Sequence, residues 1–212
     1  GQGLNAGFRD AMNLGWKLPR VLAGSHDAFL LDSYAAERDA HARDLVDWAV
    51  AIGKLMETLA AREAGLPDPH DADMSSGYGQ GRTAPPLRDG VLISSQIGDD
   101  SAVGNLLRQP RVARGGDAPG LLDAWLGDGF AIVGRSETDV ALGDEAKAVF
   151  ERLGGRRCSL ADLELVEGDH DALFASHPAA IVRPDRYVFG VVDDAWSLDA
   201  LVLELARKSA LA

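Results

Sequence analysis

Glycines at positions 1, 3 and 7 open the chain, and glycine lets a backbone come close to a flat or charged group because it has no side chain to block the approach. From Leu4 onward, Leu4, Phe8, Ala11, Met12, Gly15, Leu18 and Leu22 recur at three- and four-residue intervals. That spacing predicts a loop running into an amphipathic helix whose apolar face packs on a core. The N–H groups of Gly3, Leu4 and Asn5 would sit at the helix N-terminus, unpaired within the helix and at the positive end of its dipole. Such a terminus suits an anion or an electron-rich carbonyl. The spacing alone also permits a plain helix with a glycine-rich lead-in and no ligand.

Other residue types offer less. His26, His41, His70, His170 and His177 show no paired metal spacing, so no metal site is expected. Gly-x-Ser-x-Gly is absent, and no Ser, His and Asp arrangement supports hydrolase chemistry. Asp10 and Lys17 on the first helix read as ion-pair or capping residues, and no catalytic acid or base is assigned. Trp16, Trp48, Trp125 and Trp196 lie in apolar patterns and read as core. The single cysteine, Cys158, excludes an internal disulfide and any Cys-x-x-Cys redox or zinc site, and it reads as a buried, idle thiol.

A net charge of -12, from 21 basic against 33 acidic residues spread without long blocks, argues against nucleic acid and anionic membranes as partners. The 212 residues suffice for one large or two small domains. The sequence has no basic-then-apolar signal segment and no run of 18 apolar residues, and it begins inside a motif. The expectation is a C-terminal part of a longer, cytoplasmic protein.

Several elements must position the opening stretch. Pro19 predicts a kink or an early end near Trp16. Ser25 or Asp27 caps the next helical segment, which runs from Phe29 to Arg62 with a break expected near Arg38-Asp39. Residues 65–90, rich in Gly and Pro, read as a linker between 1–64 and 91–212. Beyond it, strands are expected at 130–133, 163–166, 179–183 and 187–192, with helices at 144–153, 169–175 and after Ser197. A further strand within 105–113 and a short helix at 120–125 would lie at the sheet edge.

GQGLNAGFRDAMNLGWKL, residues 1–18, closely resembles the last flavin-contacting motif of the FAD-dependent aromatic-ring hydroxylases, a G-x-G-[LM]-N-x-G-x-x-D-A-x-N-L-x-W-K-L run. LLDSYAAERDAHA resembles the segment that follows in that family, usually L-x-x-Y-x-x-E-R-x-P, with Ala40 here in place of the proline. PPLRDG, LLDAWLGDGFAIVG and IVRPDRYVFG resemble the C-terminal pattern of its phenol hydroxylase and hydroxyphenylpropionate hydroxylase branch. The C-terminal order of strands and helices is that of thioredoxin, with no cysteine pair after the first strand. Pro178 stands where thioredoxins carry a cis-proline, so a cis bond is expected there.

The resemblance implies an α/β chain: the helical end of an FAD-binding domain (1–64), the linker (65–90) and a thioredoxin-like domain without CxxC (91–212). It implies that Gly3, Leu4 and Asn5 face the pyrimidine edge of the flavin. The parent activity it implies is NAD(P)H-dependent hydroxylation of a phenolic or related aromatic substrate through a flavin C4a-hydroperoxide, by a family that often forms homodimers. The other FAD motifs and most of the substrate pocket are not in this sequence, so this chain alone is expected neither to hold FAD well nor to turn over. A non-enzymatic thioredoxin-like assembly or dimerisation module is the alternative.

Overall fold

The computed structural model describes residues 3–70, 85–98, 100–169 and 171–212. Gly1, Gln2, His170 and most of the expected linker lie outside them.

Helix α1 spans Gly3–Leu22, and Pro19 sits inside it without ending it. The sequence led us to expect a kink or stop near Trp16. Proline at 19 forfeits a bond to the carbonyl of Gly15, an exposed position open to solvent, and the ladder resumes with Ala23 N–H donating to Pro19 O at 2.9 Å. Asp27 then caps a short 3-10 turn, Ala28–Leu31, by accepting from the Phe29 N–H.

Helix α2 runs unbroken from Asp32 to Glu63, so the expected break at Arg38-Asp39 is absent. With Ala40 in place of proline nothing removes a ladder hydrogen bond there, and Glu37, Arg38 and His41 all turn inward to buried partners. Past Leu45 most of the helix is exposed.

The C-terminal half is built on a four-stranded sheet. Strands β1 (Arg111–Ala113) and β2 (Gly120–Leu121) and helix α3 (Asp123–Leu126) precede β3 (Ala131–Gly134). Then come α4 (Asp144–Arg152), β4 (Arg156–Ser159), β5 (Glu164–Glu167), α5 (Asp171–Ser176), β6 (Ala179–Val182), β7 (Val188–Val191) and α6 (Leu198–Lys208). The order is β4-β3-β6-β7, with β3 parallel to β4 and antiparallel to β6, and β6 antiparallel to β7. A parallel pair bridged by a helix, then an antiparallel pair and a last helix, is a connectivity that fits a thioredoxin-like core.

Two expectations are corrected here. The second strand of the sheet is Arg156–Ser159, whereas the apolar run at 163–166 forms β5 and pairs with β1 in a separate three-stranded sheet, β2-β1-β5. β4 is an edge strand, where exposed arginines are tolerated and even useful, so its polar sequence hid it. Secondly, no cis peptide bond occurs among the described residues, so the bond before Pro178 is trans. Pro178 leads straight into β6, and its carbonyl already accepts from the Arg135 N–H at 3.0 Å, so trans, the cheaper isomer, suffices.

Alternate side chains of the central strands feed two cores, as a period of two requires. Phe130, Ile132, Ala179, Ile181 and Phe189 pack with α4, α6 and Trp16 of α1. Ala131, Val133, Ala180, Val182 and Val188 pack with Leu87, Leu92, Val112, Leu122, Leu126 and Phe174. Cys158, in β4, is buried in this second core, and burial raises its thiol pKa.

Candidate functional site

Gly3, Leu4 and Asn5 form the exposed first turn of α1, with no acidic side chain in that turn to compete for its N–H groups. A Cβ on Gly3 or Gly7 would meet nothing within 4 Å, so the backbone is approachable from that side. A helix start of this kind offers several N–H donors and a positive dipole end, which fits the electron-rich pyrimidine edge of a flavin.

The expected orientation of the apolar stripe is overturned. Leu4, Phe8, Met12 and Leu22 are 71%, 61%, 55% and 83% exposed, and Ala11, Gly15 and Leu18 also face outward. The buried residues of α1 are instead Asn13, Trp16 and Lys17. α4 and α6 share one face of the sheet with Trp16, the second core covers the other face, and the rest of the surface that meets α1 carries charged partners suited to a polar face.

Those partners form a buried ionic lattice. Glu37 of α2 accepts both Nη1 and Nη2 of Arg183 at 2.8 Å, the Lys17 ammonium at 2.9 Å and the Val91 N–H at 2.9 Å. Arg183, at the end of β6, turns its other edge to Asp185, with Nε to Oδ1 at 2.9 Å and Nη2 to Oδ2 at 2.6 Å. Asp185 also accepts from Trp16 Nε1 at 3.2 Å and Asn13 Nδ2 at 3.3 Å, while Lys17 donates to Asn13 Oδ1 at 2.9 Å. Lys17, Glu37 and Arg183 have fully enclosed side chains, so the two cations and two anions must satisfy one another.

The titration behaviour follows from that geometry. Burial alone would raise the Glu37 carboxyl, but Arg183 and Lys17 bring it down to about 2. Burial pulls the Lys17 ammonium down to about 8 against the attraction of Glu37. Arg183 is held above its ordinary value, since Asp185 and Glu37 outweigh its desolvation. Gly90 makes room for the lattice: its φ is +89°, and a Cβ there would lie 2.3 Å from Glu37 Cγ.

Further contacts hold α1. Asp10 pairs with Arg38 at 2.7 Å, and Arg38 also meets the buried His41 ring at 2.8 Å. Arg20 lies over the Phe130 ring, 5.0 Å from its centroid, and donates to Leu153 O at 3.0 Å. Trp16 packs edge-on against Phe130 at 5.3 Å. Asp10 and Lys17 are thus ion-pair residues. Of the other tryptophans, Trp125 and Trp196 are half-buried and Trp48 is exposed. Sequence reasoning missed Glu37, Arg183 and Asp185 as a unit, since nothing in one sequence pairs positions so far apart.

Among the described residues no group of His, Cys, Asp and Glu is arranged to hold a metal ion, and no helix is long and apolar enough to cross a membrane.

Comparison with known proteins bears on both ends of the chain. Residues 1–49 match the family described as FAD binding domain, and residues 104–208 the family described as HcaD C-terminal domain. A probable NADH-specific resorcinol 4-hydroxylase from Rhodococcus jostii (strain RHA1) is 33% identical over 96% of this chain and 39% of its own length. A 3-(3-hydroxy-phenyl)propionate/3-hydroxycinnamic acid hydroxylase from Mycolicibacterium vanbaalenii is 34% identical over 90% of this chain and 38% of its own length. The chain therefore spans about two fifths of these relatives. Among solved structures, aklavinone-11 hydroxylase in complex with FAD and aklavinone superposes with a TM-score of 0.62 at 26% identity, covering 99% of this chain and 40% of that one. The flavin-dependent monooxygenase PieE, at 20% identity, shares the fold with a TM-score of 0.70 over 98% of this chain and 44% of that one. Matched near both ends and over almost all of its length, the chain belongs to the FAD-dependent aromatic-ring hydroxylases.

Proposed function

We infer that this chain is the flavin-contacting and C-terminal portion of an NAD(P)H-dependent monooxygenase that hydroxylates phenolic or related aromatic rings. The observation that carries the reading is the exposed, acid-free N-terminus of α1 at Gly3, Leu4 and Asn5, set in the FAD-binding match. The division into 1–64, 65–90 and 91–212 belongs to the same reading and is supported by where the two family matches fall. Substrates of the phenolic class are supported by the relatives' names, a homodimer by the family resemblance, and a cytoplasmic location by the single buried thiol.

Gly3, Leu4 and Asn5 would hold the flavin through backbone N–H groups at its pyrimidine edge. When bound, FAD would take hydride from NAD(P)H and, with oxygen, supply the atom placed on the ring. The residues of α1 orient the cofactor and favour negative charge at the edge they face, a helix-end effect of about 0.3–1 kcal/mol at an exposed position. The outward stripe of Leu4, Phe8 and Met12 excludes water beside that edge once covered. None of these side chains is an acid or base at the reacting atoms.

The test uses the full-length protein. Yellow colour, flavin absorbance and NAD(P)H oxidation stimulated by a phenol such as resorcinol are expected. A colourless full-length protein that takes up no added FAD overturns the reading.

A further inference from the structure

The ionic lattice joins two parts of the molecule that the family comparisons treat separately. Asn13, Trp16, Lys17 and Glu37 lie in the stretch matched as FAD binding domain, and Arg183 and Asp185 in the stretch matched as HcaD C-terminal domain. Asp185 grips α1 directly through Trp16 and Asn13, and Arg183 grips it through Glu37 and so Lys17. Among the described residues, the outward stripe of α1 gives the helix no hold on the rest of the molecule. Its direction is set by its inward face, where the lattice acts beside the Asp10–Arg38 pair and the contacts of Arg20 and Trp16 with Phe130, and Asn13 lies ten residues beyond Gly3, roughly 15 Å along the helix axis. Arginine suits the joint because its planar fork serves both carboxylates at once, which a lysine point charge does not.

We propose that Arg183 and Asp185 are positioning residues for the flavin: the C-terminal sheet fixes the aim of α1 through them, so cofactor affinity depends on side chains that never touch the cofactor. This rests on the flavin reading above. It assigns the C-terminal half a share in the cofactor site in addition to any part in assembly.

Two measurements test it. In the full-length protein, Arg183→Met is expected to weaken FAD binding by about tenfold or more, the size common between coupled sites, and to alter the visible circular dichroism of the bound flavin. Arg183→Lys should fail to restore either, and Asp185→Asn, which keeps the shape, should shift both in the same direction by less. Leu126→Ala, in the second core and with no hydrogen bond or ion pair to the lattice, is the comparison: it should lower stability and leave FAD affinity within about twofold. Equal loss of affinity in Leu126→Ala and Arg183→Met, or unchanged affinity in both Arg183→Met and Asp185→Asn, overturns the proposal.

The second measurement is amide hydrogen exchange on the 212-residue chain. Arg183→Met, or Asp185→Asn if the first does not fold, should speed exchange along α1 more than along β3 and β6. Uniform acceleration, or none, overturns the proposal. If the full-length wild type binds no FAD while α1 responds in this way, it is the flavin reading that fails and the mechanical joint that stands.

Discussion

The two faces of α1 invert the usual arrangement: its amide, ammonium and indole N–H groups point into the protein, and Leu4, Phe8, Met12, Leu18 and Leu22 point out. The inward face is held by bonds of fixed direction, each of which needs its partner, while the outward face has little to lose among the described residues. A polar interior face gives one docking angle at the risk of strong destabilisation when any member is removed, because a buried charge left alone is costly. An apolar outward face marks where further protein or a partner is needed to complete a core.

Breaking the inward face should give the largest effect. Glu37→Ala strands Lys17 and Arg183 with one carboxylate between them, and an unfolding midpoint in urea should report a loss of about 3–5 kcal/mol. Acid should act next. His26 and His41 are buried and held near 4, by burial first and then by Arg20 and by Arg38 respectively, well under their ordinary 6.5. The unfolded chain takes up protons first, so stability falls as pH drops from 6.5 to 4. Glu37 adds a second loss from 4.5 towards 2 as its carboxylate is protonated. On the alkaline side Lys17 acts with the same sign, since its folded value of about 8 lies under 10.5, and stability rises as pH rises between those values. Urea midpoints flat between pH 6.5 and 4 would refute the buried-histidine account.

Trp16→Phe is milder: it keeps an aromatic ring beside Phe130 and deletes the N–H that serves Asp185 together with part of the indole face near Lys17 and Arg183, for a cost of about 1–3 kcal/mol. On the outward face, Met12→Ser should change the stability of this chain by no more than about 0.5 kcal/mol. The same substitution in the full-length protein should cost clearly more. Equal effects in the two settings would mean that the stripe stays uncovered, which would remove the contrast between the faces.

The motif at residues 1–18 made the helix and its glycine-rich start legible, and apolar runs gave β3, β6, β7 and α6 within a residue or two. Edge position hid β4, because a strand with one solvent side need not look apolar. The facing of α1 was misread for a related reason. Periodicity locates an apolar stripe but does not say whether its partner lies within the same stretch of chain. The lattice was invisible for a third reason, since Arg183 and Glu37 are 146 residues apart and only the folded topology brings them together. Gly90, which reads as linker punctuation, proved to be a clearance for Glu37.

Cys158 gives the molecule a built-in reporter. It is the chain's single sulfhydryl, enclosed in β4 and with its pKa raised by burial, so it should resist alkylation while the sheet is closed. Its rate of labelling therefore times the opening of the C-terminal sheet alone. Release of α1 from its joint should leave that rate unchanged, so one reagent separates undocking of the helix from melting of the domain beneath it.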